Sequence, residues 1–170
     1  MDIIDFALKM ELDGKAFYDK HARTAKSKDL KRIFNLLSEE EVRHYNFFKS
    51  MKEGTIEEAA THLNGSTNTL QEVKNIFAEM SENKTDVFGD EELSAWKEAL
   101  QIEEKAESFY REKAEEEKDE NKKRLLTLIA EEEQNHVHMI EGVLTYMKFP
   151  EAFADSQQFK DFQSLEGKKI

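Results

Sequence analysis

The sequence contains no cysteine, and this single absence excludes several kinds of chemistry. Disulfide bonds, thiolate nucleophiles, cysteine-ligated zinc and iron–sulfur clusters all require that residue type. Proline occurs once and glycine six times in 170 residues, so few positions interrupt regular structure. No apolar run approaches the roughly 18 residues of a membrane span, and the first residues lack the pattern of a signal peptide. We therefore expect a cytoplasmic protein that does not enter a membrane.

Basic residues are scarce relative to acidic ones. Lys and Arg total 25 against 37 Asp and Glu, which gives a formal net charge of -12. Such a charge argues against nucleic acid and anionic membrane surfaces as partners. The abundant residues are Glu, Lys, Leu and Ala, which favour helices. The composition therefore predicts an all-α fold, and the length suits one domain with a substantial core.

Apolar periodicity and helix-boundary residues predict four long helices. Their ranges are about Ile3–Thr24, Lys28–Glu53, Asp90 or Glu91 to Glu117, and Asn121–Met147. Gly54 is expected to end the second helix, Asp90 to cap the third, and Pro150 to stop the fourth. The short connections within each pair predict two antiparallel hairpins, as in a four-helix bundle.

A long crossover, residues 54–89, joins the two predicted hairpins, as in ferritin-like bundles. It is predicted to contain a short helix, Thr69–Met80, between loops at residues 63–68 and 83–90. The bundle is expected to span residues 1–148. The segment 149–170 carries four phenylalanines, and we expect it to pack on the bundle or on a partner chain.

The two predicted hairpins repeat each other at an offset of 92 residues without a gap. The pairs are Ala7-Leu8 with Ala99-Leu100, Glu11 with Glu103, Phe17-Tyr18 with Phe109-Tyr110, Glu39-Glu40-Glu41 with Glu131-Glu132-Glu133, and His44 with His136. One such match would be chance in a chain so rich in glutamate. This many at one offset indicate an internal repeat of a helical hairpin.

Each long helix has an apolar stripe that acidic residues interrupt at mid-length. The interrupting positions are Glu11, Glu41 with His44, Glu103, and Glu133 with His136. Burying an ionised carboxylate costs several kcal/mol, and the sequence offers no matching set of core Lys or Arg. Two divalent metal ions would neutralise four carboxylates, and each ion could also take one imidazole. The i, i+3 spacing places Glu and His of one motif on the same helix face.

The predicted ligands indicate which metal would bind. Four carboxylates and two imidazoles without thiolate suit iron or manganese better than structural zinc. One Glu from each of two helices, with Glu-x-x-His from the other two, is a di-iron or di-manganese ligand set. We expect Glu41 and Glu133 to bridge the two metals and the remaining residues to bind terminally. Positions left open on the metals indicate chemistry with oxygen, peroxide or water.

These motifs resemble the ferritin-like di-iron carboxylate proteins, and among them the rubrerythrins, over about residues 3 to 147. The resembling stretches are Glu11 with Phe17-Tyr18, Glu41-Val42-Arg43-His44, Glu103 with Phe109-Tyr110, and Glu133-Gln134-Asn135-His136. The resemblance implies peroxide reduction at two iron ions and a homodimer. It also supports hydrogen bonds from Tyr18 and Tyr110 to ligating carboxylates of the facing helix.

The sequence departs from the rubrerythrin pattern in two places. Rubrerythrins usually carry a four-cysteine rubredoxin domain, so here we expect electrons to come from another protein. They also tend to have an extra Glu where this chain has Ala106, and the neighbouring Glu107 points about 100° further round the helix.

Two other functions remain open from the residues alone. The bundle could be a ferroxidase whose substrate is Fe(II), or a metal-binding bundle without turnover.

For the acidic residues that flank the predicted ligands we expect a solvated helix face. These flanking residues are Glu39, Glu40, Glu131 and Glu132.

Overall fold

A computed structural model, which describes residues 2–82 and 88–166, shows an all-α ferritin-like four-helix bundle. The bundle helices are α1 (Ile3–Thr24), α2 (Lys28–Glu53), α5 (Asp90–Glu116) and α6 (Glu120–Lys148). The shorter elements are α3 (Ile56–Ala59), a 3-10 turn (Ala60–Leu63), α4 (Ser66–Glu82), a second 3-10 turn (Pro150–Asp155) and α7 (Gln157–Ser164). This confirms the predicted fold class. Among the described residues, no helix is both long and apolar enough to cross a membrane.

Local capping explains where the bundle helices begin and end. Ser27 accepts a hydrogen bond from the Leu30 amide, and Asp119 accepts from two amides at the start of α6. Gly54 ends α2 with a left-handed φ of 82°, as predicted. The prediction that Asp90 caps α5 is wrong, because Gly89 occupies the cap and Asp90 is the first helical residue. There its carboxylate still faces the positive end of the helix dipole.

The crossover is more helical than its sequence predicted. The loop expected at residues 63–68 is wrong, because Leu63 ends a 3-10 turn and α4 already begins at Ser66. Helix α3 before it was not predicted. Ala59, Ala60 and Leu63 are buried in one apolar cluster with the ends of α2 and α6, and this tertiary packing favours the compact turns. Most of the second expected loop, residues 83–87, lies outside the described residues.

Two apolar clusters fill the bundle and leave a polar layer between them. Along α1, Ala7 belongs to one cluster and Tyr18 to the other, with Glu11 between them. The same order occurs along α2, where Leu37 and Phe47 flank the acidic and imidazole side chains. Because the helices of each hairpin run antiparallel, these mid-length positions meet at one level of the bundle.

The C-terminal segment packs on the chain's own bundle over its described part. Phe153 and Phe162 are buried against Phe77, with ring centroids 5.5 and 4.8 Å away. The Gln163 side chain donates to the backbone carbonyl of Lys74 at 2.9 Å. The segment thus packs against α4 at Lys74 and Phe77, while Ser66 and Thr69 at the start of α4 contact the polar layer.

Candidate metal centre

All six residues predicted from the repeat converge in the polar layer, and each is at most 4% exposed. They are Glu11, Glu41, His44, Glu103, Glu133 and His136. Every bundle helix contributes, because each brings its mid-length position to the same level. The structure therefore places four carboxylates and two imidazoles in one buried compartment between apolar clusters.

The carboxylates divide into two that span both imidazoles and two that face one each. Glu133 places Oε1 3.1 Å from His44 Nδ1 and Oε2 3.2 Å from His136 Nδ1. Glu41 Oε1 lies 4.0 and 3.6 Å from the same two nitrogens. Glu11 approaches His44 Nδ1 at 3.4 Å, and Glu103 approaches His136 Nδ1 at 3.5 Å. This is the geometry of two donor sets that share Glu41 and Glu133.

The donor atoms are better arranged to bind a divalent cation than to form hydrogen bonds with one another. Glu41 Oε1, Glu133 Oε2 and His136 Nδ1 are fully buried, yet each lacks a hydrogen-bond partner of suitable geometry among the described residues. Ligand atoms of both motifs lie within 4.8 Å of one another. Buried polar atoms are normally paired, and oxygen with imidazole nitrogen suits iron or manganese. The residues present therefore fit bound metal.

Without metal, protons must offset the buried charge. Burial and the neighbouring carboxylates raise the pKa of Glu41, and they raise the pKa of Glu133 to about 7. Burial disfavours charged imidazoles, but the surrounding carboxylates outweigh it and raise the pKa of His44 and of His136. Burial also opposes ionisation of Glu103, yet His136 beside it lowers that pKa to about 2. Metal binding must displace these protons.

Two buried tyrosines bind carboxylates across the bundle. Tyr18 of α1 donates to Glu103 of α5, and Tyr110 of α5 donates to Glu11 of α1 at 2.5 Å. Burial and nearby carboxylates raise the pKa of both phenols well above 10, so they remain donors. Each hydroxyl occupies one lone pair of its carboxylate and thereby limits the carboxylate's orientation. That these carboxylates bind metal stays a prediction at this point.

Gly14 makes room for the carboxylate of Glu41. A Cβ at this position would lie 2.3 Å from Glu41 Oε2, which no side chain tolerates without movement. Glycine inside a helix costs about 1 kcal/mol relative to alanine, so the site rather than the helix explains it. The sequence signal was present, since glycine occupies the buried stripe three residues after Glu11.

The expectation that Glu40 and Glu132 lie on a solvated face is wrong. They are 1% and 7% exposed, because the start of α4 covers this side of the bundle. Glu40 accepts hydrogen bonds from Ser66 Oγ at 2.7 Å and Thr69 Oγ1 at 2.6 Å, and it pairs with Arg43. The 3-then-4 spacing of Glu40 from Leu37 and His44 was a signal for its burial, whereas the covering segment, the crossover, was not evident from periodicity.

The acidic residue next to Ala106 does not join the cluster. Glu107 accepts from Arg111 Nε at 2.9 Å, one helical turn further along α5. Ala106 itself is buried in the apolar cluster with Tyr110. An extra carboxylate at this point of the centre is therefore not supplied by Glu107.

Comparison with known families agrees with this geometry. A family model described as Rubrerythrin matches residues 2–144. The matched range contains all four bundle helices except the last residues of α6, and it also contains the crossover. No curated protein and no solved structure matched the chain.

Proposed function

This chain belongs to the rubrerythrin family, and from that premise we propose that it is a di-iron carboxylate protein that reduces peroxide. The observation that carries the proposal is the buried constellation of four carboxylates and two imidazoles with unpaired donor atoms. A purely structural core would not keep such groups, because apolar residues of similar volume would be as stable or more so. Metal binding would explain why the buried carboxylates and imidazoles are present.

The distances support a specific division of roles among the ligands. Glu41 and Glu133 face both imidazoles, which suits bridging carboxylates. Glu11 and His44 would complete one metal position, and Glu103 and His136 the other. We infer two iron ions because both donor sets are complete within one chain, and manganese is the alternative with the same ligand preference.

The reaction is H₂O₂ + 2 e⁻ + 2 H⁺ → 2 H₂O, and a bound iron pair would supply the two electrons. The protein's own part is to hold and isolate the pair. Tyr18 and Tyr110 restrain Glu103 and Glu11 through their hydroxyl hydrogen bonds. The apolar clusters above and below exclude bulk water. An external electron-transfer protein would restore the reduced state.

Ferroxidation is the second candidate, with Fe(II) as substrate rather than resident cofactor. The observation that favours it is the pair of additional buried carboxylates, Glu40 and Glu132, beside the centre. Together with a net charge of -12, they would attract cations toward it.

Stopped-flow mixing of the Fe(II)-loaded chain with peroxide or oxygen distinguishes these functions. Fast oxidation by peroxide, followed by re-reduction with an added donor, supports the peroxidase. Faster reaction with oxygen and release of Fe(III) supports the ferroxidase, and no reaction with either oxidant contradicts both enzymatic functions. The variant His44→Ala with His136→Ala should lose metal, whereas His138→Ala, at a half-exposed histidine of α6, should keep it.

The remaining expectations concern location and assembly. We propose a cytoplasmic homodimer served by a separate electron donor. Apolar side chains exposed on α1, Phe6 at 42% and Leu12 at 50%, support a contact surface. Light scattering on a size-exclusion column would show a mass of one chain if the dimer proposal is wrong.

A further inference from the structure

The far nitrogen of His136 faces a second layer of carboxylates, and a nitrogen of His44 lies beside the same layer. Glu40 Oε2 lies 3.9 Å from His136 Nε2. Oxygens of Glu40 and Glu132 and a nitrogen of His44 all lie within 4.8 Å of one another. His44 Nε2 and His136 Nε2 are buried and have no hydrogen-bond partner among the described residues.

An imidazole that binds metal through Nδ1 carries its proton on Nε2, and that proton needs an acceptor. In both histidines Nδ1 is the nitrogen that faces the bridging carboxylate Glu133. Glu40 and Glu132 are therefore on the correct side to accept from Nε2. Both carboxylates are buried, and the repeat offset places them at equivalent positions of the two hairpins.

Among the described residues, one of these two carboxylates pairs with a guanidinium, that of Arg43 on α2, which also contacts the crossover. Arg43 Nη1 pairs with Glu40 and also donates to Thr69 Oγ1 at 3.1 Å, while Ser66 and Thr69 donate to Glu40 themselves. A Cβ on Gly65 would lie 2.5 Å from Arg43 Nε, so the glycine admits the guanidinium. In the repeat, Asn135 stands where Arg43 does, and no second crossover follows α6 in the described chain.

We propose that Glu40 is a positioning residue: it accepts the Nε2 proton of His136, directs Nδ1 of that ring to the metal, and is itself fixed by the crossover. Glu132 does the same for His44 without the guanidinium. The two metal positions are therefore unequal, and the His136 position is held more rigidly. This inference rests on the proposed metal centre.

Cobalt(II) is the probe for the test, because the N–H protons of imidazoles bound to it give shifted, exchangeable proton NMR signals. In the native chain loaded with two Co(II) we expect two such signals, with slower solvent exchange at His136. Glu40→Gln should speed exchange at His136 at least about tenfold and weaken Co(II) binding about tenfold. Glu132→Gln should act on the His44 signal.

Two further variants complete the design. Glu39→Gln removes the same charge from an exposed position one residue away and should change neither signal. Thr69→Val removes a crossover hydroxyl without touching the ligands, and it should speed His136 exchange even if Glu40→Gln fails to fold. If exchange and affinity in Glu40→Gln or Thr69→Val match Glu39→Gln, the positioning role is overturned while the metal centre stands. If the native chain binds no Co(II), the metal centre itself is overturned.

Discussion

At the scale of single residues, the centre combines groups that would be unstable alone. Its carboxylates are buried, and their charge is offset by protons on neighbouring imidazoles and carboxyls. Desolvation makes each unpaired group costly, and the same low dielectric makes a bound cation strongly favourable. Small side chains matter as much as charged ones, as Gly14 shows.

Substituting Gly14→Ala should weaken metal binding without unfolding the protein. The new Cβ would displace the Glu41 carboxylate, while the helix gains about 1 kcal/mol from alanine. We expect a loss of about tenfold in Mn(II) affinity, measured by titration calorimetry, with unchanged or higher thermal stability of the metal-free chain. Ala106→Gly, at the repeat-related position, is the matched control. Equal effects of the two variants would contradict the role of Gly14.

Metal affinity should rise with pH across the neutral range. The raised pKa values of Glu133, at about 7, and of both histidines mean that metal must displace protons near pH 7 and below. We expect the apparent Mn(II) binding constant to increase by about tenfold or more per pH unit between about pH 6 and 7. Calorimetry in buffers of different ionisation enthalpy would count the protons released. A pH-independent constant would disprove proton displacement.

At the scale of elements, the crossover and the C-terminal segment complete the bundle. Helix α4 of the crossover connects the two, with Ser66 and Thr69 on the carboxylate layer and Phe77 against the C-terminal phenylalanines. Packing rather than propensity stabilises such short elements, since isolated helices of this length are marginal in water. The segment beyond α6 therefore supports the centre from outside.

Phe162→Ala should reduce the free energy of unfolding by about 3 kcal/mol. The ring is 2% exposed and packs on Phe77, and truncating a buried phenylalanine leaves a cavity. Urea denaturation of the metal-free protein measures the change. Phe149→Ala, at a ring 55% exposed, should stay within about 0.5 kcal/mol of the native chain. A loss at Phe162 no larger than this control would show that α7 is not docked in solution.

At the scale of the whole molecule, the repeat builds a symmetric centre that the crossover then makes unequal. Two hairpins meet with their acidic interruptions at one level, so a bound metal would join the halves. A ligand that binds only the folded state stabilises it by about 2.7 kcal/mol at a hundredfold excess over its Kd. Stability should therefore depend on metal about as much as on a buried aromatic side chain.

Removing metal should lower the melting temperature by about 5–10 °C. Bound metal stabilises the folded state by about 2.7 kcal/mol, and the melting temperature of a chain of this size shifts by about 2–4 °C per kcal/mol. Scanning calorimetry with excess Mn(II), and again with a chelator, measures the difference. The His44→Ala, His136→Ala chain should show little dependence on metal. An identical melting temperature with and without metal in the native chain would count against the centre.

The sequence was informative wherever a local pattern had one physical solution. The bounds predicted for α1 and α2 agree with the structure, because caps and glycine at helix ends act over a few residues. The buried positions of Glu11, Glu41 and Glu103 followed from periodicity combined with the repeat. The need to compensate their buried charge then predicted metal from the sequence alone.

The tertiary structure alone decided what covers the bundle. Helical spacing puts Glu40 on the same buried stripe as Leu37 and His44, unlike the exposed Glu39 beside it. Only the tertiary structure brings Ser66 and Thr69 to Glu40 as hydrogen-bond donors. The fit of Gly14 to Glu41 likewise depends on two helices meeting. A helix pattern specifies which faces are apolar. Which distant segment covers a polar face depends on long-range packing, because the residues that connect the two segments contribute only loop-closure entropy.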